Sequence, residues 1–260
     1  MSAQGIAAPY AEVGPRTVAR MTGVVYLLFF VTAIVGEVFL QQAGVSGIHA
    51  ASGDAATIAR SLTAHSVAFR LGFAFGLVSV ALYVAVTALF YRLFAPVSRS
   101  AVLMAAFFSL TGMAVQAVAS VFQIAPLVIQ AGSPYLSVFS APQTQALELL
   151  FLNLNAQALG VGLVFDGLFL LLIGYLIFRS TFLPRMLGAP LALAGLGWLT
   201  YLWPPLAASL APYIQVLGFA AEVALMLWLL IMGVNAQRWA ALGCAGWRHR
   251  RVRRLNALAV

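Results

Sequence analysis

The sequence predicts an all-α membrane protein, a bundle of six transmembrane helices with both termini in the cytoplasm. Three observations predict it. Of 260 residues, 63% are hydrophobic and only 8% charged, against about 25% charged in soluble globular domains. The mean hydropathy is +1.00. Apolar stretches long enough to cross a bilayer recur along the chain, and its arginines gather in the connections between them.

A spanning helix needs about 20 mainly apolar residues to cross about 30 Å of hydrocarbon. The first candidate is Met21–Leu40. Its apolar run is longer than a secretory signal core and no clear small-residue cleavage site follows Leu40, so it reads as a signal anchor. The stretch GDAATIARSLTAHS (Gly53–Ser66) then predicts a short helix on the outer side, opened by Asp54 as N-cap. The second span, Val67–Phe90, carries Gly72-x3-Gly76, a spacing that allows one close helix approach. The third, Ala101–Ile124, runs on past Pro126 if the proline kinks it. Gln143–Leu154 has helical spacing and leads into the fourth, Ala156–Phe178. The fifth, Met186–Trp203, stops at Pro204-Pro205, and Pro212 suits the first turn of the sixth, Ile214–Val234. The chain thus divides into a cytoplasmic segment 1–20, a membrane domain 21–237 and a basic cytoplasmic tail 238–260.

Orientation follows from charge. The net charge of +8 comes from 14 arginines without a lysine. Arg16, Arg20, Arg92, Arg99, Arg179, Arg185, Arg238 and the tail arginines fall on one side; only Arg60 and Arg70 fall on the other. Such asymmetry marks the cytoplasmic face and places both termini there. Tyr91, Tyr175 and Trp239 fall near the inner boundary and Tyr135, Tyr201, Trp203 and Tyr213 near the outer one, as two aromatic belts. The tail Arg238–Arg254, with Trp239 and Trp247, reads either as a segment lying on anionic lipid or as a disordered topogenic tail. Arginines spread over connections do not make a nucleic-acid surface. Oligomeric state is left open.

Soluble-type chemistry has no motif to stand on. The lone Cys244 excludes an internal disulfide, and His49, His65 and His249 are scattered. The sequence has no HExxH, GxGxxG, Walker loop or GxSxG. No cofactor, metal ligand or catalytic residue is assigned, and an intramembrane lipid enzyme lacks a recognisable nucleophile–base pair.

What remains is polar residues in apolar spans. Of six acidic residues, Glu12, Asp54 and Glu148 belong to tails or loops, whereas Glu37, Asp166 and Glu222 lie inside spans. Counted from the nearest cytoplasmic arginine, Asp166 lies about 20 Å in, Glu222 about 24 Å, Glu37 about 25 Å and Arg70 about 33 Å. All four are expected to converge in the outer leaflet. An aspartate at a helix centre costs about 2.5–3.5 kcal/mol on insertion scales, so it should face the bundle interior. Helical spacing puts Asn155, Gly162 and Asp166 on one stripe, Gln215, Gly218 and Glu222 on another, Tyr26, Ala33 and Glu37 on a third, and Ser109, Gln116 and Gln123 on a fourth. The candidate ligand- or proton-binding residues are therefore Glu37, Arg70, Asp166, Glu222, Gln116, Gln123, Asn155 and Gln215. Two readings stay open. One is a structural network in which Glu37 and Glu222 satisfy Arg70. The other is an outward-facing pocket that binds or translocates a small solute, cationic or polar, or a proton. An accessory protein that holds a partner or organises lipid would fit the first.

The segments RLFAPVSRSAVLMAAFFSL (Arg92–Leu110), GLVFDGLFLLLIGYLIFRSTFLPRMLGAPLALAGLGWL (Gly162–Leu199) and GFAAEVALMLWLLIMGV (Gly218–Val234) resemble a bacterial membrane family catalogued as domain of unknown function 4386. The resemblance runs from about Arg20 to Gln237 and is most specific in GYLIFRSTFLPRMLG. It implies about six spans and no established activity. Glu37 in VGEVFL, Arg70 in FRLG and Glu222 in GFAAEVALMLWLL match positions similar in the family. Asp166 departs from it: relatives read closer to FFGLH where this chain has FDGLF, with Phe169 in place of the histidine.

Overall fold

The computed structural model describes residues 14–46, 51, 53–132 and 134–242. Glu12, His49, Cys244, the side chain of Tyr135 and the tail from residue 243 on, including Trp247 and His249, lie outside them.

Helix α1 (Pro15–Gln42) opens with a proline, which costs nothing where no intrahelical acceptor exists. Gly44, at φ +77°, ends that segment. Helix α2 (Ala55–Ala64) is capped by Asp54, whose carboxylate accepts from the Thr57 amide at 3.2 Å, as its sequence predicts. Helix α3 spans Ser66–Phe94. Helix α4 (Arg99–Gln130) is capped by the Ser98 hydroxyl and runs through Pro126. Helix α5 (Ala141–Arg179) has 39 residues and starts where Gln143 Oε1 accepts from the Ser140 amide at 2.8 Å. Helix α6 (Gly188–Leu199) is flanked by 3-10 turns at Arg185–Leu187 and Thr200–Leu202. Helix α7 spans Pro204–Ile231.

Five of these, α1, α3, α4, α5 and α7, are long and apolar enough to cross a membrane. The fifth predicted span is shorter: α6 has 12 residues, about 18 Å of helix. The chain leaves helical geometry at Trp203 (φ −126°, ψ 90°) because the residue before a proline is pushed out of the α region. Helix α7 therefore begins at Pro204-Pro205, ahead of the expected Ile214, and Pro212 sits inside it instead of in its first turn. Glu148, expected in a loop, lies within α5 and is buried.

Helices α1 and α3, α3 and α4, α4 and α5, and α5 and α6 pack in succession, and α7 packs on both α6 and α1, so the helices close a ring. Close backbone approaches set the packing. Gly36 of α1 faces Gly72 of α3, so the predicted approach occurs there, whereas the space beside Gly76 is open. On α5 and α6, Gly167 meets Gly195 and Gly174 meets Gly188; a Cβ on Gly195 would come within 2.6 Å of the Gly167 carbonyl. Small residues at such spacing let two backbones approach where lipid offers no hydrophobic drive. The outward faces stay apolar and exposed, as at Leu28, Val31, Phe107, Val118 and Val121.

One end of the ring is filled. Phe90, Phe94, Phe169 and Phe182 are buried together there with Leu176 and Ile177. After α7 the chain turns at Gly233 (φ +68°) and passes beneath this plug. The Asn235 amide donates to the Phe182 carbonyl at 3.4 Å, Arg238 Nη1 to the Thr181 carbonyl at 3.1 Å, and Trp239 Nε1 to the Leu93 carbonyl at 2.9 Å.

Candidate functional site

Above the aromatic plug the ring encloses a cleft of about 580 Å³. Most of its wall is apolar or aromatic, from Phe29 and Phe30 of α1, Tyr83 of α3, Met113 of α4, Leu159 and Leu163 of α5, Trp198 of α6 and Phe219 of α7. Four polar side chains interrupt that wall: Gln116, Asp166, Gln215 and Glu222.

Asp166 is 8% exposed. Its Oδ2 accepts from Gln116 Nε2 of α4 at 2.9 Å, while Oδ1 has no hydrogen-bond partner among the described residues. That second oxygen lies at the α4–α5 crossing, where a Cβ on Gly112 would stand 2.8 Å from it. The aspartate fits because α4 carries glycine there. Facing it across the cleft, Glu222 of α7 accepts a short hydrogen bond from the hydroxyl of Tyr26, which is fully buried on α1. Tyr26 packs edge-on to Tyr83, and Tyr83 in turn packs on Phe29 and Phe169. Gln215 Nε2 is buried without a hydrogen-bond partner among the described residues. Among the described residues no arginine lines the cleft.

Of the eight sequence candidates, four line this cleft and four lie elsewhere. Glu37 is half-buried two turns beyond Phe30 on α1 and accepts from Ser46 Oγ at 2.7 Å and Gln41 Nε2 at 3.3 Å. Arg70 is exposed near the start of α3, about 20 Å along that helix from Tyr83. Gln123 is half-buried two turns beyond Gln116, and Asn155 is buried three turns before Asp166. The expected meeting of Arg70 with Glu222 does not occur: the Glu222 partner is a tyrosine. The depth count placed Glu222 too far from its helix end because α7 stops at Ile231 and Arg238 belongs to the segment folded beneath the bundle.

Tyr26 is legible in the sequence only as a member of the Glu37 stripe, and sequence reasoning misses Tyr83 and Trp198. Tyr26 and Tyr83 share one signal, a tyrosine in mid-span instead of at an aromatic belt. A smaller polar knot occupies the other end of α5. There Gln130 Nε2 donates to Glu148 Oε2 at 3.0 Å, and Gln130 Oε1 accepts from Thr63 at 3.2 Å, joining α2, α4 and α5.

Against known proteins, a model of the family described as Domain of unknown function (DUF4386) matches residues 21–233. No curated protein and no solved structure matches the chain.

Proposed function

Because the chain belongs to the DUF4386 family, whose function is unknown, we propose its role from the cleft: this multipass membrane protein takes a small solute or a proton into the centre of its bundle. The observation that carries the reading is the placement of Asp166 and Glu222 on the wall of one cleft that, among the described residues, holds no arginine. Ionisable groups inside a membrane bundle are expensive and mark ligand or proton paths. In the same proposal α6 completes a sixth crossing with its flanking 3-10 turns, and segment 1–20 and the tail 238–260 lie in the cytoplasm of a bacterium. The arginine asymmetry supports that orientation. The aromatic plug is then on the cytoplasmic side, the cleft faces outward, and the basic tail rests on anionic lipid.

Reconstituted into proteoliposomes, the protein should show solute-dependent or proton flux that falls at least tenfold in Glu222→Gln or Asp166→Asn at unchanged folded yield. One observation favours a second reading, an accessory scaffold: the Tyr26–Glu222 hydrogen bond ties the first long helix to the last. Under that reading Glu222→Gln lowers thermal stability, and no flux or ligand binding is found with either protein.

A further inference from the structure

The chemistry of the cleft narrows what it could hold. Its ionisable side chains capable of negative charge, Asp166 and Glu222, enter from opposite sides, on α5 and α7. Among the described residues neither has a cationic neighbour in the wall; the hydrogen-bonding neighbours are a carboxamide, Gln116, and two phenols, Tyr26 and Tyr83. A buried carboxylate hydrogen-bonded but not charge-paired is costly in an apolar wall, and a bound cation would supply the missing charge. Among the described residues the same wall has no positive group to receive an anion.

The rest of the wall opposes a bare metal ion. Among the described residues no three His, Cys, Asp or Glu side chains gather, and the carboxylates are set among Phe29, Phe30, Trp198 and Phe219. Aromatic faces attract organic cations and cover their alkyl parts. The volume, about 580 Å³, is that of a site for an organic molecule. Gln215 Nε2, buried and without a partner among the described residues, is a donor left over for a second polar group. The wall also reaches the outer surface of the bundle, because Val216 and Phe219 line it while 70% and 50% exposed.

We propose that this cleft binds an amphipathic organic cation, its ammonium-like head between Asp166 and Glu222 and its apolar part against the aromatic wall beside Phe219. This rests on the reading of the cleft as a ligand site, and it adds the class of ligand.

The test uses the full chain in nanodiscs, with radiolabelled tetraphenylphosphonium as probe and empty nanodiscs to subtract partition into lipid. Octylammonium, octanol and octanoate, which share a chain and differ in head group, serve as competitors. Saturable probe binding is expected, with octylammonium displacing it at a concentration at least tenfold lower than octanol or octanoate. In Asp166→Asn that preference should shrink severalfold, and in Asp166→Asn/Glu222→Gln it should vanish. If the double variant does not fold, Asp166→Asn alone decides, since the two side chains have the same shape. Equal displacement by octanol and octylammonium, or preference for octanoate, overturns the cation assignment and leaves the cleft a ligand site. Absence of saturable binding, with no displacement by any competitor, removes the ligand reading as well.

Discussion

Tyr26 and Glu222 show how one hydroxyl can matter in this bundle. The phenol is fully buried and its hydrogen bond crosses from α1 to α7. Tyr26→Phe keeps the ring and its stacking on Phe30 but leaves the carboxylate without that donor. An unsatisfied buried polar group costs about 1–3 kcal/mol, so the thermal unfolding midpoint in detergent should fall by several degrees. Tyr213→Phe, at a position 75% exposed, should leave it unchanged. Gly112 makes a comparable case by contact alone. Gly112→Ala would place a methyl 2.8 Å from Asp166 Oδ1 and 3.1 Å from the Gly162 carbonyl. Overpacking of that kind costs about 1–3 kcal/mol. Gly76→Ala, with open space around it, should be neutral or slightly stabilising in the same assay.

At the scale of elements, α6 is the helix whose role depends most on its neighbours. Its 12 residues are anchored along α5 by two glycine pairs. Gly195→Ala should loosen that pairing and lower the unfolding midpoint more than any single alanine on the lipid-facing side, such as Leu196→Ala, where the side chain is 54% exposed. Whether α6 crosses is a matter of sidedness. With Cys244 replaced by serine, cysteines at Met186 and Trp203, both well exposed, should react with an impermeant maleimide from opposite faces of sealed vesicles. Labelling of both from one face would rule out the sixth crossing. The long helices were legible because each carries an apolar run of spanning length, and α3 and α5 also end in arginines, Arg92 and Arg179. The limits of α6 and α7 were harder to read. Pro204-Pro205 could end one helix or open the next, and sequence alone weighted the wrong proline, Pro212.

For the whole molecule, inward stripes were readable but partners were not. Asp166, Gln116, Gln215 and Glu222 fall on stripes that helical spacing points inward, and all four line the cleft. The meeting of Asp166 with Gln116, or Glu222 with Tyr26, depends on the rotation and tilt of helices set by packing across the ring, which a linear count of residues does not carry. Arg70 illustrates the gap: counted depth brought it near Glu222, yet it is exposed near the start of α3. The segment under the plug is a second long-range feature. Trp239→Phe would remove the donor to the Leu93 carbonyl, at a cost of about 0.5–1.5 kcal/mol. It should lower stability in detergent without altering ligand selectivity in the cleft.

The bond between Tyr26 and Glu222 joins positions 196 residues apart, which bears on how the chain is made. A ribosome delivers α1 long before α7, so during synthesis the tyrosine waits without its acceptor and the glutamate enters the bilayer last. The ring can close only once translation has passed α7, and the stretch carrying Trp239 then seals its base. A nascent protein stalled before Glu222 has an open side, the form that a membrane chaperone or a quality-control protease would meet.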